Sequence, residues 1–303
     1  MSNYPKLLTL MLSLSALPPR ASASDRAPVL SIEPWKRLRH VAFGGAGGWS
    51  VLEVHRRTLE PLDIRFPTSP AALGVSPDGT MIAFVAMDPA THRPGLYACA
   101  RNCEAPRAVG FPEGRHWDPL VTDDGWIYFA HHAGLESTPC VDDSPEHRSA
   151  QLWRVKFDGG LPERLTNEEG CHYGEGLLPD GSLAFIHKRA ILDRKIEILN
   201  TTSGERKVVL AHPRPEELAI APDGNSLLFS APGFNMVTIL RAGQGSPAKA
   251  VFVIERASIA RPRFGASENE VLFQAYQAVW LIDGNATLKL GDLPPFPPTG
   301  RPQ

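Results

Sequence analysis

Four Asp-Gly pairs recur along this chain, each followed by a short apolar strand ending in Phe. They are Asp78-Gly79, Asp124-Gly125, Asp180-Gly181 and Asp223-Gly224, with Phe84, Phe129, Phe185 and Phe229 behind them. A fifth copy keeps the strand, Val271-Leu272-Phe273, without the Asp-Gly. The aspartates stand 46, 56 and 43 residues apart. One copy shows why the unit folds as it does. In Ser76-Pro77-Asp78-Gly79-Thr80, Pro presets a turn dihedral, Asp can bond the backbone ahead of it, and Gly takes the left-handed conformation. The chain therefore reverses, and the bounded apolar run that follows suits a strand buried between neighbouring sheets. A period of roughly 40–50 residues built from short strands is the signature of a β-propeller.

Each copy carries a further strand pair. Leu96-Tyr97-Ala98, Leu152-Trp153-Arg154-Val155, Ile196-Glu197-Ile198-Leu199, Val237-Thr238-Ile239-Leu240 and Val279-Trp280-Leu281-Ile282 read as third strands, and each meets a turn signal such as Asp158-Gly159-Gly160 or Asp283-Gly284-Asn285. Five complete blades can be read, over about 69–110, 114–167, 171–212, 214–256 and 258–293. Residues 35–67 have the length of a degenerate sixth, with Trp49–Val54 and Leu62-Asp63-Ile64 as its outer strands and Gly44-Gly45-Ala46-Gly47-Gly48 in place of its inner turn. The fold expected is all-β: one six-bladed propeller of four-stranded antiparallel sheets over residues 28–293, with seven blades the alternative. A single such ring is expected to be monomeric.

The repeats Ser76-Pro77-Asp78-Gly79-Thr80 and Leu152-Trp153-Arg154-Val155 through Asp158-Gly159-Gly160 to Pro162-Glu163-Arg164-Leu165-Thr166 resemble the TolB-type (WD40-like) propeller repeat. The resemblance covers most of the chain after its first residues. It implies a six- or seven-bladed propeller and leaves the partner open, because the family includes a periplasmic Tol-system protein, propeller domains of prolyl-oligopeptidase-like enzymes and many secreted proteins. Only the repeat turns carry over residue by residue, and those are structural positions.

Residues 1–23 have the parts of a secretory signal: Lys6, the apolar stretch Leu7–Leu17 and the small-residue site Ala21-Ser22-Ala23. The apolar stretch is too short to span a bilayer. The expected location is periplasmic or secreted. A formal net charge of −2 with no basic block argues against a nucleic-acid partner. The Pro-rich residues 294–303 read as an extended tail. Four Cys in an exported chain suggest two disulfides, and locality favours Cys99 with Cys103 and Cys140 with Cys171.

Loops that enter the first strand of each blade gather at one end of a propeller channel. Here they supply His116, Asp118, His172, Glu175, Glu217, Arg261 and Arg263 as candidate binding residues. His116 and His172 each stand eight residues before their blade's Asp, so adjacent blades are expected to present them at one depth. Such a mouth can bind a polar ligand or a divalent metal, although propeller mouths are polar by default because loops need solvation. No cofactor fingerprint occurs. His131 and His132 are expected to point to opposite faces of a strand, one to solvent and the other to a neighbouring blade, and so cannot share an ion. The insertion Cys140–His147 lacks a calcium-loop ladder and reads as a partner contact. The glycines at 44–48 lack the Lys-Ser/Thr of a phosphate loop, and no Gly-x-Ser-x-Gly elbow is present. These features point to an exported, non-enzymatic module holding a protein or peptide. The competing expectation is a polysaccharide lyase or hydrolase built on the His, acid and Arg side chains of the mouth.

Overall fold

The computed structural model describes residues 38–45, 48–111, 114–133, 150–190, 192–212, 214–233, 236–243, 247–255 and 261–294. Among them are 23 strands and no helix, arranged as six antiparallel sheets. Blade 1 contains β1 (His40–Gly45), β2 (Gly48–Glu53) and β3 (Thr58–Leu62). Blade 2 contains β4 (Ala72–Val75), β5 (Met81–Met87), β6 (Pro94–Ala100) and β7 (Arg107–Ala108). Blade 3 contains β8 (Arg115–Val121), β9 (Trp126–His132), β10 (Gln151–Lys156) and β11 (Glu163–Arg164). Blade 4 contains β12 (Cys171–Leu177), β13 (Leu183–Lys188), β14 (Arg194–Leu199) and β15 (Arg206–Ala211). Blade 5 contains β16 (Leu218–Ile220), β17 (Ser226–Gly233), β18 (Met236–Gly243) and β19 (Lys249–Glu255). Blade 6 contains β20 (Arg263–Phe264), β21 (Glu270–Ala275), β22 (Ala278–Asp283) and β23 (Ala286–Asp292). The inner strands pack in sequence around an axis, β1 on β4, β4 on β8, β8 on β12, β12 on β16 and β16 on β20.

The Asp-Gly turns work as local chemistry dictates. The glycines take φ of 78°, 78°, 81° and 73° at 79, 125, 181 and 224. The carboxylates of Asp78, Asp180 and Asp223 each accept the backbone N–H two residues on, at 2.9 Å. Directly behind each turn, Phe84, Phe129, Phe185 and Phe229 are fully enclosed between blades, and Phe273 nearly so. These rings are the largest regular contribution to the inter-blade core.

Blade 1 departs from the expectation in an informative way. Its β1 runs opposite to β4. Arg39 and His40 donate to the carbonyl of Pro77, at the Asp-Gly end of blade 2, by 3.2 and 3.1 Å. The Trp49 indole, at the other end of the β1–β2 hairpin, donates to Pro70 O at 3.0 Å. Aligned on direction, His40-Val41-Ala42-Phe43 matches Met81-Ile82-Ala83-Phe84, and Phe43 is as deeply buried as its five counterparts. The three described strands therefore correspond to the second, third and fourth strands of the other blades. The glycine run at 44–48 spans the second turn, not the inner one. The outer strand is Thr58–Leu62, displaced toward the N-terminus from Leu62–Ile64, because Val54–Arg57 already forms the preceding turn.

Cys99 and Cys103 form a disulfide across the end of β6. Cys171 is also disulfide-bonded. Its expected partner Cys140 lies outside the described residues, as do residues 1–23, expected to be a signal, the insertion at 140–147 and residues 295–303. Among the described residues no helix is long and apolar enough to cross a membrane.

Candidate functional site

A cavity of about 500 Å³ lies along the propeller axis. Its middle is lined by aliphatic residues of the inner strands, including Leu73, Leu120, Leu177 and Ile220, and its lower end by His40, Thr122, Asp123 and Asp124 at the Asp-Gly turns. Its upper part is lined by Asp118, Glu217, Arg261 and Arg263, with Trp49 beside them. Four of the seven candidate mouth residues thus share one compartment: Asp118 from blade 3, Glu217 from the entry to blade 5, and Arg261 and Arg263 from blade 6 and its entry.

Local backbone irregularity puts them there. The β8–β9 register shifts between Trp117 and Leu120, and Asp118 within that bulge has φ of 44°. The β12–β13 register shifts at the equivalent place, between Tyr173 and Gly176, with Gly174 at φ 67°. Bulges re-aim side chains, and such positions cluster at functional sites. Glycine at 174 also permits a close approach by blade 5: a Cβ there would sit 3.4 Å from Glu216 O and 3.2 Å from Ile186 Cδ1. The Asp118 carboxylate accepts the Gly174 N–H, joining blades 3 and 4. Glu217 N–H donates to Ser230 Oγ at 3.3 Å, fixing the entry to blade 5. Arg261 reaches blade 1, donating from Nη1 to Gly44 O at 2.8 Å, with its guanidinium 5.2 Å from the Trp49 ring centroid. Its Nε stands 3.8 Å from Glu217 Oε1. Arg263 Nη1 donates to Pro262 O at 2.8 Å, and among the described residues no carboxylate lies within ion-pair distance of it.

The electrostatics follow from enclosure. Asp118 keeps contact with solvent through the cavity, yet protein surrounds it, and the loss of hydration raises its carboxyl pKa against the opposing pull of Arg261 and Arg263. Glu217 is pushed up to about 7, first by burial and then by the charge of Asp118. Burial lowers Arg263. Burial thus works against the charged form of both carboxyls and of Arg263, and the guanidiniums beside the carboxyls work for their ionised form.

His116 and His172 do not join this group. They are 4% and 0% exposed and lie between sheet faces, away from the cavity. The reason is register: His116 opposes His131 and His172 opposes His187 across the first two strands of their blades. The ring centroids are 4.9 and 4.4 Å apart. His172 Nδ1 meets Ala150 O at 3.0 Å, and His187 Nδ1 meets Glu197 Oε1 at 3.0 Å. Among the described residues neither ring nitrogen of His116 has a hydrogen-bond partner. Burial lowers His116 to about 3 and His131 and His172 to about 4, so all three are neutral at ordinary pH. His131 and His132 are both buried, which differs from the expectation that one faces solvent. A repeated signal marks these pairs in the sequence: Gly114-x-His116 and Gly170-x-His172, each with a second His fifteen residues on, at 131 and 187. Glu175 lies in β12 within the bulge. Among the described residues no three metal-ligating side chains converge.

No protein-family model matches the chain, and no curated protein matches its sequence. Solved structures do match its fold. A putative TolB from Agrobacterium tumefaciens aligns with a TM-score of 0.58 at 18% identity, over 84% of this chain and 89% of that one. TolB from Acinetobacter baumannii aligns at 0.51 and 18% identity, over 69% of this chain; this chain spans 50% of that protein. An oligogalacturonate lyase from Vibrio parahaemolyticus aligns at 0.54 and 14% identity, over 81% and 74%. The chain is thus a six-bladed β-propeller with a TolB-like fold. At these identities the likeness concerns the fold alone.

Proposed function

We propose that this chain is an exported, non-enzymatic binding protein that holds a protein or peptide in its axial cavity. The observation that carries the reading is the cavity itself: aliphatic walls, with Asp118, Glu217, Arg261 and Arg263 converging at its upper end. A few convergent polar groups against apolar walls is the usual form of a recognition site. The Cys99–Cys103 disulfide fits an oxidising compartment, in keeping with export. Co-purification of the exported protein with a cell-envelope protein, lost on Arg261→Ala/Arg263→Ala, supports the reading. Robust turnover of sugars or peptides by the pure protein overturns it.

A second reading has one specific observation in its favour. Glu217, with a pKa of about 7, stands 3.8 Å from Arg261 in an enclosed cavity. A carboxylate poised near neutrality beside guanidiniums suits proton abstraction next to a stabilised anion, and one fold relative is an oligogalacturonate lyase. In that case acidic oligosaccharides are cleaved by the wild type and not by Glu217→Gln. His116 and His172, enclosed between sheets, have no part in it.

A further inference from the structure

Eight large hydrophobic side chains are exposed among the described residues, and four of them stand at the turns that join the second and third strands of a blade: Met87, Leu192, Met236 and Tyr276. Each strand of a blade reverses the one before it, so these turns lie at the end of the propeller where Asp118, Glu217, Arg261 and Arg263 converge. At the opposite end, beside the Asp-Gly turns, only Leu161 is comparable. Single exposed apolar side chains are ordinary, but their gathering at one end marks a contact face.

Tyr276 is the most informative of the four. Arg263 opposes Leu272 in the β20–β21 pair, and Gln274 and Arg261 both reach Gly44. Gln274 is therefore level with the upper end of the cavity. Tyr276 stands two residues farther along, about 7 Å beyond that level, and one strand, about 5 Å, outward from β20. Its side chain is 60% exposed. Ala275 pairs with Ala278, so Tyr276 and Gln277 form a two-residue hairpin turn, with φ of 52° and 61°. Asn-Gly fills such a turn without strain, whereas a bulky residue there is an outlier. Strain of this kind persists where it serves a site. The Tyr276 hydroxyl donates to Glu255 O at the end of β19, which lays the ring across the junction of blades 5 and 6. Met236, also exposed, opposes Glu255 in the β18–β19 pair, so both side chains adjoin one stretch of backbone. The chain leaves β23 by the other flank of blade 6, where a Cβ added at Gly48 would stand 2.8 Å from Pro294 Cβ.

We propose that Tyr276, with Met236 beside it, is the anchor on which a folded protein partner rests outside the cavity while a segment of that partner occupies the cavity. The inference rests on the binding reading above and adds the partner's chemistry: an apolar side chain, next to the inserted segment, that packs on the face of the Tyr276 ring. Tyr and Met are enriched in the cores of protein interfaces, and Tyr is prominent among the residues that carry binding energy. A ring tied down by its own hydroxyl is a platform for a side chain. An aromatic that enters a membrane keeps its polar tip at the headgroups and its body toward the lipid, which the bond to Glu255 O opposes.

The test uses the full chain in intact cells. A photoreactive residue at Gln277, which leaves Tyr276 in place, is expected to give an adduct of the same mass as one at Leu120 in the cavity. The double variant Tyr276→Asn/Gln277→Gly carries the pair this turn prefers, so its melting midpoint is expected to match or exceed the wild type. Its adduct from position 120 is nonetheless expected to fall by about 10-fold or more. A midpoint lowered by more than about 4 °C shows the ring to be structural and overturns the proposal. So does an undiminished adduct from position 120 in the double variant, or an adduct from position 277 with the mass of a second copy of this chain. Flotation of the wild type, and not of the double variant, with vesicles of phosphatidylethanolamine and phosphatidylglycerol overturns it in favour of a membrane. An adduct from position 120 with none from 277 refutes this inference alone, whereas no adduct from position 120 removes the cavity reading and this inference with it.

Discussion

Replacing Phe43 by Ala tests whether blade 1 is a true member of the ring. Phe43 is fully buried among Val41, Leu52, Val54, Leu272, Val279 and Leu281, a cluster that joins blade 1 to blade 6. Truncating a fully buried Phe removes its transfer free energy and leaves a cavity, together costing about 3–5 kcal/mol. Phe185→Ala, in the same position of blade 4, sets the reference, because its ring is equally enclosed. In a domain of this size each kcal/mol moves the midpoint by about 2–4 °C, so both variants should melt roughly 6–20 °C below the wild type. Urea titration followed by tryptophan fluorescence and far-UV circular dichroism gives the free energies, and coincidence of the two probes justifies a single transition. Equal losses at Phe43 and Phe185 place β1 in the role of a second strand. A loss below about 1 kcal/mol at Phe43 with a full loss at Phe185 refutes that assignment, since a well-packed site cannot give up a buried Phe so cheaply.

Three further outcomes follow from the same geometry. His116, His131 and His172 have depressed folded pKa values, so the unfolded chain binds more protons below about 6.5; stability should fall as pH drops toward 4, and His116→Leu should flatten that limb in pH-dependent urea titrations. Glu217 has the opposite sign: raised to about 7, it stabilises the fold below the ordinary glutamate range and loses that contribution as pH rises through 7, a slope that Glu217→Gln should remove. Intact-mass analysis under non-reducing conditions should find no free thiol, and opening the Cys99–Cys103 bridge should cost about 2 kcal/mol for so short a loop, read as a lowered denaturation midpoint.

What the sequence made legible was whatever is settled locally. The Asp-Gly turns announce themselves because Gly at positive φ and Asp bonding two residues ahead are intrinsic to those residues; four blades followed from them, and a fifth from the strand ending in Phe273. The sixth was half hidden, because the strand ending in Phe43 has no Asp-Gly before it and its glycines sit after it. At the channel the placement of a side chain depends on register, which composition does not reveal. His116 and Asp118 are two residues apart, yet one is sealed between sheets and the other opens into the cavity, because a bulge begins between them. The pairing of His116 with His131 and of His172 with His187 had a signal in the repeated Gly-x-His. Its meaning, a buried stack and not a ligand pair, needed the second strand.

The binding reading rests on the axial cavity, and site-directed photo-crosslinking probes that cavity most directly. A photoreactive residue is placed at Leu120, which lines it, and separately at Val253, exposed on the outer strand of blade 5. In intact cells the account predicts a discrete protein or peptide adduct from position 120, lost when Arg261 and Arg263 are both replaced by Ala, and none from position 253. Adducts from position 253 alone, or an adduct at 120 indifferent to both arginines, would contradict it.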